Sequence, residues 1–177
     1  MENVKNYRPI SKFSVAEKLF EKLVYSRIHN YINLGPEQHG FFCGRSPETN
    51  LFLFMEYIHA DLDSRIQVDV IYTDFSKAFD KISHNILLAR LAEVGVSGTL
   101  LDWIQSYLTG RSQFVQIQGF CSDRFAPTSG VPQGSHLGPL FLIVYINKIR
   151  SSYFTLPIWK FLTEYTVSPT VWMCKLI

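Results

Sequence analysis

Asp74 stands at the carboxyl end of Gln67-Val-Asp-Val-Ile-Tyr-Thr73, a run rich in β-branched and aromatic residues. In mixed α/β sheets ligands gather beyond strand ends, and a carboxylate there can hold Mg²⁺ while leaving coordination positions for water and substrate phosphates. Aspartate also ends strands simply because it favours turns. A second candidate is Ser129-Gly-Val-Pro-Gln-Gly-Ser135. Its two glycines let backbone approach a bulky partner, and Gln133 offers both a donor and an acceptor. No GK[ST] follows, so it is not a Walker loop, and an ordinary strand-to-helix turn fits the pattern too. The third is Gly40-Phe-Phe-Cys-Gly-Arg-Ser46, which sets Arg45 just before a helix start. That position suits phosphate contact, and it equally suits a solvated arginine.

Other chemistries are poorly served. His29, His39, His59, His84 and His136 show no metal-ligand spacing, and no G-x-S-x-G elbow is present. Asp74 and Asp80 as an acid/base pair lack a fixed separation across the intervening turn. Cys43, Cys121 and Cys174 are too few and too scattered for a disulfide framework or a CxxC zinc site, and a reducing compartment fits best.

These residues need elements to hold them. Ser14-Val-Ala-Glu17 has the form of a capping box, and Val15, Leu19 and Leu23 with Phe20, Val24 and Ile28 predict a helix from about 14 to 32. Gly35-Pro36 breaks it. Ser46-Pro47 reads as an N-cap with proline at the first helical position, and Leu51, Phe54, Ile58 and Leu62 give that helix its apolar face. Residues 67–73, apolar on both faces, suit a central strand. Helices are expected over Ser83 to Val94 and Leu100 to Leu108, with Gly95 and Gly110 as stops. Arg111 to Gln118 alternates with period two, and Gly119 separates it from Asp123 to Thr128, predicting a hairpin. An apolar helix over about His136 to Ile149 follows the 129–135 loop. The fold class is therefore α/β (α+β).

Composition bounds the rest. With 47% hydrophobic and 18% charged residues in a 177-residue chain, disorder is excluded and about one domain is expected. The longest apolar run, Leu140 to Ile146, is far short of the ~20 residues of a membrane span, and residues 1–10 lack a signal-peptide core. A soluble, intracellular protein of cytoplasm or nucleus is expected, with no membrane partner. The net charge of +2 is uneven. An acidic stretch over 51–98 lies between mildly basic flanks, as a cation site beside a polyanion track would, although surface variation also produces such a pattern.

Taken in order, NYRPIS (6–11), EKLFEKLVYSRI (17–28), EQHGFFCGRS (37–46), YTDFSKAFDKISH (72–84), WIQSYLTGRSQFVQI (103–117) and SGVPQGSHLGPLFLIVYIN (129–147) resemble the reverse transcriptase domain of non-LTR retrotransposons of the LINE-type, jockey-like group. The resemblance implies a partial right-hand polymerase: fingers plus an incomplete palm over 1–150, then a divergent tail over 151–177. Asp74 falls on the first catalytic aspartate, which with the Phe75 carbonyl would hold the divalent ions that act on primer and deoxynucleotide triphosphate. Phe79 matches the bulky position that excludes a ribose 2′-hydroxyl. Gln133 and Gly134 fall beside the base pair formed on the RNA template with the DNA primer, and Arg45 matches a basic fingers position facing phosphates. Where the family commonly has arginine after Gly-Phe, this chain has Phe42.

The largest departure follows Arg150. The family carries an alanine-aspartate-aspartate turn there, whereas this chain reads Thr163-Glu164-Tyr165-Thr166, and no aspartate occurs after Asp123. Glu164 is the one acidic side chain left in that region to reach the Mg²⁺, and Tyr165 cannot replace a carboxylate. The tail has the look of sequence altered by mutation or frameshift. Expected is a truncated RNA-directed DNA polymerase that is inactive as given; the alternatives are a non-catalytic nucleic-acid-binding module or a genomic relic.

Overall fold

The computed structural model describes residues 10–35, 38–41, 44–73, 75–147, 158–160 and 170–175. Asp74, Glu164, Phe42 and Cys43 lie outside the described residues, as does most of the tail. The chain forms two compact units, each built from two separated stretches: Met1–Ile32 with Phe79–Tyr145, and Asn33–Ala78 with Ile146–Ile177.

In the first unit, α1 (Val15–His29) starts at the expected capping box. The Glu17 amide donates to Ser14 Oγ at 3.2 Å and the Ser14 amide to Glu17 Oε2 at 2.6 Å, so two amides with no intrahelical acceptor are satisfied reciprocally. α3 (His84–Glu93) and α4 (Thr99–Leu108) follow within two residues of the expected bounds. Gly95 ends α3 at φ 99°, a conformation glycine adopts without steric cost. Leu87, Leu91, Ile104 and Leu108 are fully buried. α5 (Leu137–Asn147) buries Leu137, Leu140, Phe141, Leu142, Ile143 and Val144, leaving almost no polar face, as an interior helix should. Among the described residues no helix is long and apolar enough to cross a membrane.

The hairpin forms around Gly119, as expected, but is tighter than the alternation suggests. β2 (Gln116–Ile117) pairs with β3 (Phe120–Cys121), and an isolated bridge joins Gln113 to Phe125. Gln118 at φ 49° and Gly119 at φ 88° form the two-residue turn whose twist matches antiparallel strands. The return arm therefore begins at Phe120, three residues before the expected Asp123.

In the second unit, α2 (Pro47–Asp63) is capped by Ser46 with Pro47 in its first turn. β1 (Val68–Thr73) pairs antiparallel with β5 (Thr170–Lys175), which pairs with β4 (Ile158–Lys160). The order is β1-β5-β4, so among the described strands β1 is at an edge and the expectation of a central strand is corrected. Side chains apolar on both faces report what covers the faces; place within a sheet is decided by the strand's hydrogen-bonding edges, which those side chains do not encode. Phe54 of α2 anchors the cluster on this strand, with Val68 and Val70 packed against it.

Two helix faces also differ from expectation. On α1, Val24 and Ile28 are buried together with Glu21, whereas Val15, Leu19 and Leu23 are exposed. On α2, Phe54 is buried while Leu51 and Leu62 are exposed. Both helices are apolar on more than one side, so periodicity alone cannot say which row faces inward.

Candidate functional site

The 129–135 loop lies in the first unit, laced onto the 79–84 turn. The Gly130 amide donates to the Ile82 carbonyl and the Val131 amide to the Phe79 carbonyl, each at 2.8 Å. Ser129 Oγ donates to the Asp80 carbonyl at 2.9 Å, and Gln133 Nε2 to Asp80 Oδ1 at 3.3 Å. Gly130 has φ 85°, and a Cβ there would sit 2.7 Å from the Asp80 carbonyl oxygen and 2.8 Å from that of Phe79. No side chain fits between the two backbones.

Two cationic or aromatic side chains converge on the Gly130 carbonyl. His84 Nε2 lies 2.8 Å away; since a carbonyl only accepts, Nε2 carries the hydrogen. Arg111 Nη2 donates to the same oxygen at 3.0 Å, and its Nε donates to the Leu108 carbonyl at 3.1 Å. Burial lowers the Arg111 pKa from its ordinary value.

The far end of the loop is held by a buried acid. Glu21, only 2% exposed, accepts from Tyr107 Oη through Oε1 at 2.6 Å and from the His136 amide through Oε2 at 2.8 Å. The Gly138 amide donates to Ser135 Oγ at 2.8 Å, so the start of α5 has two of its unpaired amides satisfied. A carboxyl group also suits the positive end of the helix dipole. From the N-terminal side, the Ser11 amide donates to the Gln133 carbonyl at 2.9 Å. Gly134, at φ 92°, has the Ser11 carbonyl oxygen 3.4 Å from where a Cβ would be.

Burial first, and then the Glu21 carboxylate, raise the Tyr107 pKa well above its ordinary value of 10.0. Below about pH 10 the phenol is protonated both folded and unfolded, and its contribution to stability is fully present. As pH climbs further the unfolded chain releases that proton and the folded chain keeps it, so stability falls by up to about 1.4 kcal/mol per pH unit. Denaturant midpoints measured between about pH 9 and pH 11 should decline, and Tyr107→Phe should remove that share of the slope. Equal slopes in the two proteins would count against the assignment.

The sequence candidates thus separate. Phe79, Gln133 and Gly134 come together in the first unit. Phe75 and Arg45 belong to the second, and there Arg45 Nη1 donates to the carbonyls of Gly35 at 2.8 Å and Gln38 at 2.7 Å, tying its own loop. Asp74 and Glu164 lie outside the described residues, and among the described residues no group of three metal-ligating side chains occurs. No aspartate follows Asp123 in the sequence. Sequence reading missed Glu21, Tyr107 and His84. The signal for Glu21 was its place three and seven residues before Val24 and Ile28, on the row that is buried.

Residues 2–161 match the family Reverse transcriptase (RNA-dependent DNA polymerase). The chain belongs to that family. The chain is 32% identical over 144 residues to a probable RNA-directed DNA polymerase from transposon X-element of Drosophila melanogaster, covering 79% of the chain and 16% of the relative. It is 29% identical over 148 residues to a probable RNA-directed DNA polymerase from transposon BS of the same fly, with 81% and 16% covered. Similarity to an RNA-directed DNA polymerase from mobile element jockey of Drosophila funebris is 28% over 147 residues, again with 81% and 16% covered. The chain thus spans about one sixth of the length of these relatives.

Proposed function

We propose that this chain is a fragment of a non-LTR retrotransposon RNA-directed DNA polymerase, supplying fingers and an incomplete palm, and that it does not polymerise as given. The loop at 129–135 is its template and nucleotide platform. What carries this reading is the lacing of that loop to the 79–84 turn by the paired Gly130 and Val131 amides, with no room for a Cβ at Gly130. A surface that must stay level beneath a base pair needs backbone held by backbone, because fixed dipoles cost no reorganisation when the ligand arrives. In this reading Gln133 and Gly134 face the nascent pair, and Phe79, anchored through its carbonyl, limits the sugar to a deoxyribose. Arg45, whose Nη1 donates to the Gly35 and Gln38 carbonyls, holds its own loop in this reading and is not counted among the phosphate contacts.

Inactivity follows from the donor set. Asp74 with the Phe75 carbonyl, and Glu164 with its longer side chain, leave the Mg²⁺ pair short of the carboxylates the reaction needs. Purified chain given an RNA template, an annealed DNA primer, deoxynucleotide triphosphates and Mg²⁺ should extend nothing, and Asp74→Ala should behave identically. Extension by the unaltered chain that Asp74→Ala abolishes would overturn the inactivity. The reading as a binding module alone is not favoured, since Arg111 and Arg45, its motivating cations, donate to carbonyls of their own unit.

A further inference from the structure

α1 is apolar on two opposite faces. Val24 and Ile28 are buried, while Val15, Leu19 and Leu23, successive at four residues, are exposed by 85%, 62% and 64%. At 100° per residue the exposed row is flanked by Lys18 and Lys22 on one side and Arg27 on the other, all exposed. The acids of this helix are occupied, Glu17 in the capping box and Glu21 in the buried network. α2 presents the complement. Leu51, Met55 and Leu62 are exposed by 51%, 42% and 53%, and with half-buried Ile58 they follow the 4-3-4 spacing of a helix-pairing seam. Its charged side chains are Glu48, Glu56, Asp61 and Asp63, and it contains no lysine or arginine.

We propose that copies of this chain associate head to tail, the basic apolar face of α1 on one copy seating on the acidic apolar face of α2 on the next. The rows run roughly 12 and 16 Å, so they can cover one another. Pairing α1 with α1 would set lysines against lysines, and α2 with α2 would set carboxylates against carboxylates; only the mixed pair joins opposite charges. Both halves of that pair are on the same chain, so a second copy supplies the partner without any foreign protein. Such an interface is heterologous and can add further copies.

Sedimentation velocity over a concentration series tests this. The unaltered chain should show a mass above its 20.4 kDa that rises with concentration and less steeply at high salt. Leu19→Glu with Leu23→Glu should be monomeric alone, as should Leu51→Glu with Met55→Glu. Mixing these two proteins should produce a one-to-one dimer and nothing larger, because each keeps the face the other lost. Lys18→Glu with Lys22→Glu, at exposed positions, should weaken association at least tenfold without disturbing packing. A monomer at every concentration would overturn the proposal. So would continued self-association of the α2 variant alone, failure of the mixture to pair, or no effect of the lysine changes.

Discussion

Gly130→Ala should destabilise the chain by about 3 kcal/mol, roughly 6–12 °C in melting temperature for a chain of this size. Two costs combine. The backbone at φ 85° is strained for any residue with a Cβ, and that Cβ would lie 2.7 to 2.8 Å from backbone atoms of Phe79 and Asp80. Backbone cannot swing aside as a flexible side chain can, so the loop must lift, and the hydrogen bonds donated by the Gly130 and Val131 amides lengthen with it. Gly119→Ala is the matched comparison. Gly119 has nearly the same φ, 88°, with nothing within 4 Å of its Cβ position, so its loss should be only about 1 kcal/mol. Thermal melts of the two variants separate close approach from backbone strain; equal shifts would show that the approach contributes little.

Glu21→Ala should cost a similar amount, about 3 kcal/mol. The substitution strands Tyr107 Oη and the His136 amide, both of which donate to the acid across the interior of the first unit. A buried donor left unpaired bears its full desolvation cost with nothing to offset it, and that cost exceeds what a typical hydrogen bond contributes. Glu21→Gln keeps an acceptor for the His136 amide and turns its other arm into a donor toward the Tyr107 hydroxyl, which must rotate to accept and gives up its charge-assisted bond, so it should fall between wild type and alanine. Chemical denaturation of the three proteins orders them, and an alanine variant as stable as the glutamine variant would show that Tyr107 and His136 find other partners.

Much of the secondary structure was legible because local chemistry dictates it. The capping box at Ser14, the proline after Ser46 and the glycines at 95 and 119 mark element ends by steric and hydrogen-bonding rules that act within a few residues. Helix faces were less legible: α1 offers apolar rows on two sides, and only packing selects Val24 and Ile28 over Leu19 and Leu23. β1 likewise reads as apolar on both faces, yet its edge position depends on where β5 attaches, about a hundred residues later in the chain.

The candidate site divides in the same way. The residue types in SGVPQGS, the carboxylate at Asp74 and the missing aspartates after Asp123 belong to the sequence by itself, because they are matters of which functional groups exist. Tertiary structure alone decided that the loop is welded to Phe79, Asp80 and Ile82, that His84 and Arg111 share one carbonyl, and that an acid on α1 fastens the start of α5. Those bonds join residues 46 to 115 positions apart, or 19 in the case of Arg111. No propensity or spacing rule reaches that far, since a hydrogen bond depends on where two groups meet in space and the chain between them leaves that open.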